Sequence, residues 1–174
     1  PSPQVTLGGS EYLATLHQTI AGQPPVVDFD LERRVQAVCR HGIQQGWINS
    51  AHDCSEGGLA VAIAESAIWL HQRSANAGKT GASINLGEVT QRWDNTLFGE
   101  GGARIIVSIT PSYQADFEAY LNQHLANNWQ HLGTVGNAGG NIQISSSQGE
   151  IINVSVADIT NTWANAIERR LALD

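Results

Sequence analysis

Residues 49–70, Asn-Ser-Ala-His-Asp-Cys-Ser-Glu-Gly-Gly-Leu-Ala-Val-Ala-Ile-Ala-Glu-Ser-Ala-Ile-Trp-Leu, constrain this chain more than any other stretch. A polar strand end carrying His52, Asp53 and Ser55 meets Gly57-Gly58, and an Ala-rich helical pattern follows at once. Such an order lets backbone N–H groups at a helix start face an anion, with polar side chains beside them. Without Cβ atoms, Gly57 and Gly58 permit unusual dihedrals and close approach by a ligand or a neighbouring element. A tight strand-to-helix turn explains the same residues without any ligand, and the local pattern alone leaves both readings open.

The pattern along the rest of the chain places helices and strands around that turn. Residues 1–28 carry Pro1, Pro3, Gly8, Gly9, Gly22, Pro24 and Pro25 with a short apolar pattern at Leu13, Leu16 and Ile20. They read as a lead-in segment with one short helix, closed by the Pro-Pro break. Asp28 or Asp30 is placed to cap the next helix, whose apolar face is Leu31, Val35, Val38 and Ile43, and Gly46 ends it. Residues 47–53 form a short strand. The helix starting near Gly57 shows Leu59, Ile63, Ala67 and Leu70 on one face, and its alanines predict close packing against a sheet. His71–Thr80 is polar and reads as a loop, Gly81–Leu86 as a strand, and Gln91–Leu97 as a short helical turn before the Gly99–Gly102 loop.

Arg104–Ile109, dense in Ile and Val, is expected to be a central strand covered on both faces. Thr110-Pro111 starts a helix with Pro at its first position, and Phe117, Tyr120, Leu121 and Leu125 form its apolar stripe. His131–Val135 is a further strand. Asn141–Ser145 and Glu150–Val156 flank Ser147-Gln148-Gly149 as a hairpin. Ser155 with Asp158 opens the last helix as a capping box, with Ile159, Trp163, Ile167 and Leu171 facing the core. The sum is one α+β domain over 29–174, a mixed β-sheet layered with α-helices, preceded by the 1–28 lead-in.

Function classes can be excluded before any is chosen. The 174 residues are 41% hydrophobic and 14% charged, a globular balance. Net charge is −7 with only nine Lys and Arg, so no basic stripe exists for a phosphodiester backbone and nucleic acid is not an expected partner. No apolar run reaches the roughly 18 residues of a membrane span, and no signal-peptide pattern is present, so no membrane partner and a cytoplasmic location are expected. Cys39 and Cys54 lack C-x-x-C spacing, and neither a zinc site nor a disulfide framework is expected. No G-x-S-x-G turn and no Walker A lysine occur; Lys79 is the only lysine. The absence of Met suits a processed or truncated chain.

Ser50-Ala51-His52-Asp53-Cys54-Ser55-Glu56-Gly57-Gly58-Leu59-Ala60-Val61-Ala62 closely resembles the SAHDVSDGGLAVAL signature of the phosphoribosylformylglycinamidine synthase family, synthetase subunit. Leu97-Phe98-Gly99-Glu100-Gly101-Gly102-Ala103-Arg104 is similar to that family's LFGES-x-x-R segment, and Leu7-Gly8-Gly9-Ser10-Glu11-Tyr12 to the lead-in of the same domain. The three matches occur in the family's order and cover most of the chain. The resemblance is to one part of a longer enzyme, its carboxy-terminal domain, and implies the layered fold of the carboxy-terminal domain of aminoimidazole ribonucleotide synthetase. It also implies an ATP- and glutamine-dependent ligase of purine biosynthesis. Such an enzyme uses ATP and Mg2+, bound mainly outside this domain, and works with a glutaminase subunit and a small accessory subunit besides its own preceding domains. The isolated domain is expected to be inactive.

Candidate substrate- or nucleotide-binding residues are His52, Asp53, Ser55, Gly57, Gly58, Glu100, Gly101, Gly102 and Arg104; none is assigned as catalytic and none as a metal ligand. Each has a plainer role. Asp53 or Ser55 can cap the helix, His52 can be a hydrogen-bonded strand end, and Glu100 can pair with Arg104 across the loop. Two departures from the family pattern matter. Glu56 stands where the family has Asp, and Gly101-Gly102-Ala103 replaces residues with polar side chains. A scaffold or auxiliary nucleotide site, in an enzyme whose other half does the chemistry, fits those departures. A non-catalytic interaction module, or a domain of another member of the same ATP-dependent superfamily, is the alternative.

Overall fold

A computed structural model describes residues 4–73, 80–89, 92–136 and 139–172. Seven helices and six strands occur in it: α1 Glu11–His17, α2 Phe29–Gln44, β1 Ile48–Asp53, α3 Gly58–Arg73, β2 Gly81–Asn85, α4 Trp93–Phe98, β3 Ile105–Ile109, α5 Gln114–Leu125, β4 Gly133–Gly136, β5 Asn141–Ser146, β6 Gly149–Ser155, α6 Val156–Ala164 and α7 Ala166–Leu171. They form two compact units: Pro1–Ile63 with Gln91–His131, and Ala64–Thr90 with Leu132–Asp174. The boundary falls inside α3. The chain is α+β, with a mixed four-stranded sheet and helices as expected, but β1 and β3 make a separate two-stranded sheet.

In the first unit, α2 starts where Asp28 Oδ1 accepts from the N–H groups of Asp30 and Leu31, both at 3.0 Å. Those are two of the donors that a helix start leaves without an internal partner. Leu31, Val35 and Val38 then fall on one face at helical spacing and pack with Phe117 and Leu125 of α5 to form the core. Ile48 of β1 and Ile105, Val107 and Ile109 of β3 close that core from the sheet side. Ile43, expected on the same face, is exposed, and Gly42 is buried instead. A Cβ at Gly42 would lie 2.7 Å from Ile48 Cδ1 and 3.1 Å from Phe117 Cε2, so a larger residue there would make these side chains shift.

Strands β1 and β3 run antiparallel, pairing Ala51 with Val107 and Asp53 with Ile105. Among the described residues β3 pairs with β1 alone, and it is half-buried along its length, so it is not the doubly covered central strand that its composition suggests. An apolar run reports that a strand is buried somewhere; which neighbours it finds depends on residues distant in sequence. Pro111 opens a 3-10 turn, Pro111–Tyr113, that leads into α5.

In the second unit the strand order is β4-β2-β5-β6, with β2 antiparallel to β4 and parallel to β5. The β5–β6 hairpin is antiparallel, as the alternation predicts. Ile84, Ile142 and Ile144 occupy one face of this sheet and are buried. The other face carries Thr134, Ser83, Gln143 and Asn153 in register across all four strands. That is the period-2 alternation of a sheet with one covered face.

Three helical expectations change. The loop expected over 71–80 begins later, because α3 continues to Arg73; residues 74–79, like Gln91 of the expected 91–97 turn, lie outside the described residues. On α3 the buried side chains among the described ones are Ala62, Ile63 and Ile68, whereas Leu70 is exposed. At the carboxy-terminal end Ser155 does cap α6, its Oγ accepting from Asp158 N–H, but the expected single helix is two, α6 and α7. Trp163, Ile167 and Leu171, expected to face the core, are exposed. The packing ends with Val156 and the half-buried Ile159, so the apolar pattern outlasts the surface that it could cover.

Candidate functional site

All nine residues selected from the sequence lie in the first unit, around the turn between β1 and α3 and the loop after α4. The β1–β3 pairing continues one step past the strands, with Cys54 N–H donating to Arg104 O at 2.9 Å. This holds the two ends side by side. The chain then turns over Ser55–Gly57, and Gly58 N–H donates to Ser55 O as α3 begins. Residues 54–57 therefore form a bend at the foot of the helix, between Asp53 at the end of β1 and Gly58 at the start of α3.

The glycines of the bend serve close packing. Gly57 and Gly58 are both buried, with φ of 74° and 66°, in the left-handed region that L side chains avoid. A Cβ at Gly58 would sit 2.6 Å from Gly99 O and 3.0 Å from Leu97 O. Backbone cannot yield there, so the start of α3 lies directly against the end of α4. At Gly101 a Cβ would meet Gln4 O at 2.6 Å. Gly102, by contrast, is exposed, and its nearest neighbour is the flexible Glu32 carboxylate at 3.2 Å.

Glu100 joins three segments. Its Oε1 accepts from Gly57 N–H at 3.0 Å and from Glu11 N–H, at the start of α1, at 2.9 Å. Its backbone exchanges two hydrogen bonds with Thr6, of 3.0 and 2.9 Å. A carboxylate accepting from amides of two separate helix starts is favoured by charge and by helix-end geometry together. Arg104 does not pair with Glu100; its Nη1 donates to Gly99 O at 2.9 Å. Burial pushes the guanidinium below its ordinary pKa, opposed by the Cys54 sulfur. No carboxylate forms an ion pair with Arg104 among the described residues.

The polar residues of the β1 end look outward. Asp53 and Ser55 are exposed and His52 is half-buried, with His52 Nδ1 at 3.8 Å from Asp53 Oδ1. Cys54 points inward, and burial raises its thiol pKa, with Arg104 opposing and Asp53 adding to the rise. The structure thus brings the 52–58 turn and the 99–104 loop together and turns their faces two ways: Glu100, Gly57, Gly58 and Arg104 toward the protein, Asp53, Ser55 and Gly102 toward solvent.

Three participants were not selected from the sequence. Thr6 and Glu11 supply backbone to Glu100, and Glu32 on α2 brings a buried, unbonded Oε2 to the Gly102 side of the loop. The lead-in match at Leu7–Tyr12 contains Glu11 and only adjoins Thr6; nothing in the local pattern marks Glu32. A shallow depression in the same unit, lined by Thr6, Leu7, Leu13, Ala21, Arg92 and Asn95, includes none of the nine. Among the described residues no three His, Cys, Asp or Glu side chains gather as a metal site.

The chain is 53% identical over 172 residues to phosphoribosylformylglycinamidine synthase subunit PurL of Trichormus variabilis, covering 97% of this chain and 21% of that protein. It is 56% identical over 172 residues to the same subunit of Synechococcus elongatus, covering 98% and 21%. The chain spans about a fifth of the length of these relatives. Among solved structures it matches Thermotoga maritima PurL complexed with ATP at a TM-score of 0.64 and 16% identity, over 91% of this chain and 24% of that one. It also matches the PurLQS structure from the same organism at 0.62 and 16%, over 88% and 24%. The α+β fold accords with a family match over residues 2–145: the chain belongs to the family described as AIR synthase related protein, C-terminal domain.

Proposed function

We propose that this chain is the carboxy-terminal domain of a phosphoribosylformylglycinamidine synthase, the ATP- and glutamine-dependent ligase step of de novo purine biosynthesis. In that reaction the amide oxygen of formylglycinamide ribonucleotide takes the γ-phosphoryl group of ATP, releasing ADP. Ammonia then displaces the phosphorylated oxygen as phosphate and leaves the amidine. A glutaminase subunit supplies the ammonia and a small accessory subunit completes the assembly, in a cytoplasmic setting. The identities of 53% and 56% to PurL subunits support this reading. None of the described helices is long and apolar enough to cross a membrane.

Within that enzyme the domain acts as scaffold or as the auxiliary half of a nucleotide site, with phosphoryl transfer located elsewhere. The observation that carries this is the engagement of Glu100: its Oε1 already accepts from Gly57 and Glu11 N–H groups. A group so placed fixes the turn, which supports a scaffold role. Among the described residues no three His, Cys, Asp or Glu side chains gather, so this domain offers no all-protein cage for Mg2+. An auxiliary nucleotide site would draw on what the loop leaves open. The exposed Gly102 and Asp53 lie at that surface, and Asp53 pairs with Ile105 next to Arg104, whose guanidinium, turned toward the protein, has no carboxylate partner among the described residues.

Calorimetry with ADP and ATP separates the two roles. Binding to the longer polypeptide that weakens in both Asp53→Ala and Arg104→Ala, with ligase activity retained, assigns the auxiliary site. Binding unchanged in both assigns scaffold alone. ATP-dependent turnover by the 174-residue chain itself overturns the proposal.

A further inference from the structure

Two anomalies of the first unit meet at one peptide bond. Glu32 Oε2, in the first turn of α2, is buried without a hydrogen-bond partner, while its Oε1 accepts from Gln36 Nε2 at 2.8 Å. Buried acceptors are nearly always paired. Ala103 has a φ of 56°, a left-handed conformation that a Cβ disfavours. Between the two stands the exposed Gly102, whose Cβ position would lie 3.2 Å from that same Oε2. The loop is anchored on either side, by the two backbone bonds between Glu100 and Thr6 and by Arg104 O accepting from Cys54 N–H. No hydrogen bond to a described residue holds the peptide that joins Gly102 to Ala103.

We propose that Glu32 is a positioning residue of the 99–104 loop, acting on a reversible peptide between Gly102 and Ala103 that in a second arrangement donates Ala103 N–H to Glu32 Oε2. One rotation removes both anomalies. A planar peptide turns over when ψ of one residue and φ of the next change in opposite senses. Gly102 tolerates the change in ψ, and residue 103 moves to a φ of about −120°, in the broad β region. The Cα and Cβ atoms hardly move, so the Ala103 methyl keeps its packing against the core of the first unit. Leaving the left-handed region favours the reversed peptide by about five- to thirtyfold, and the carboxylate gains a charge-assisted bond. Strain of this kind gathers at switch segments. The two arrangements differ in where the loop sends one N–H: onto Glu32, or away from it and toward another acceptor. The inference goes beyond the proposed site role and requires no ligand.

Crystal structures of variants of the longer polypeptide test this. A branched side chain is a severe outlier in the left-handed region. Ala103→Val is therefore expected to show the reversed peptide, with a negative φ at residue 103 and its N–H nitrogen about 3 Å from Glu32 Oε2. Ala103→Gly is expected to keep the arrangement of the parent. A φ that stays near 56° in Ala103→Val, or a reversed peptide that bonds elsewhere, overturns the inference. If the larger side chain prevents folding, relaxation dispersion with isotope-labelled alanine decides, the residue 103 signal being the one that Ala103→Gly removes. Exchange on the microsecond-to-millisecond scale is expected there in the parent and is abolished in Glu32→Gln, which keeps an oxygen for Gln36 and turns a donor toward the loop. No exchange in the parent, or exchange that Glu32→Gln leaves unchanged, overturns the inference. Neither readout involves a nucleotide, so failure here leaves the proposed site role separately testable.

Discussion

Glu100 Oε1 accepts from two amides that belong to different segments. Removing it leaves Gly57 and Glu11 N–H groups without their acceptor, and hydrogen bonds to charged groups contribute roughly 1.5–3 kcal/mol each. Glu100→Ala is expected to lower unfolding stability by about 2–4 kcal/mol, and Glu100→Gln by less, since its amide oxygen can still accept. Urea denaturation checks the order of the three proteins; an unchanged midpoint in Glu100→Ala would show that the clasp does not hold the turn. The glycines offer a matched pair. Gly46 and Gly58 have φ of 70° and 66°, yet Gly46 has open space where its Cβ would be, and Gly58 has Gly99 O at 2.6 Å. Gly46→Ala should cost about 1 kcal/mol, the left-handed penalty alone. Gly58→Ala should cost about 3 kcal/mol or more, strain and overlap together. Similar costs for both would show that backbone conformation, not contact between α3 and α4, determines the need for glycine at residue 58.

At the scale of elements, ends with a local chemical cause are the most legible. Asp28 or Asp30 is recognisable as the start of α2, and Asp28 is the one that accepts from two amides there; Asp28→Ala should lower stability by about 1 kcal/mol, read as a shift in urea midpoint with an unchanged slope. The β5–β6 hairpin and the Ser155 cap of α6 are legible for the same reason, since turn and cap are made by neighbours in sequence. β3 is not, because its pairing with β1 alone is a tertiary outcome. Nor is the exposure of Trp163, Ile167 and Leu171, since an amphipathic pattern announces a partner without naming it. The site divides along the same line. The Gly-Gly bend and its nearness to the 99–104 loop follow from the motifs, but Glu100 bonding to Gly57 and Glu11 does not, because backbone amides leave no mark in a sequence.

At the scale of the whole molecule, buried thiols link folding to pH. Burial raises the pKa of Cys54, with Arg104 opposing and Asp53 adding, and burial likewise raises Cys39 against the influence of Arg40. In the unfolded chain a thiol ionises near ~8.5. Below that value both states keep the proton, and the contribution to stability is fully present. As pH rises through it, the unfolded chain loses protons that the folded one retains, so stability falls until the folded pKa is passed. A guanidinium remains charged across this range, so Arg104 adds no slope of its own. The urea midpoint should therefore decline between about pH 8 and pH 10, and less steeply in Cys54→Ala than in the parent. That substitution also removes a buried sulfur and lowers stability at every pH, so the slope rather than the level is the readout. Parallel alkaline limbs in the two proteins would mean that the Cys54 thiol ionises as readily in the fold as out of it.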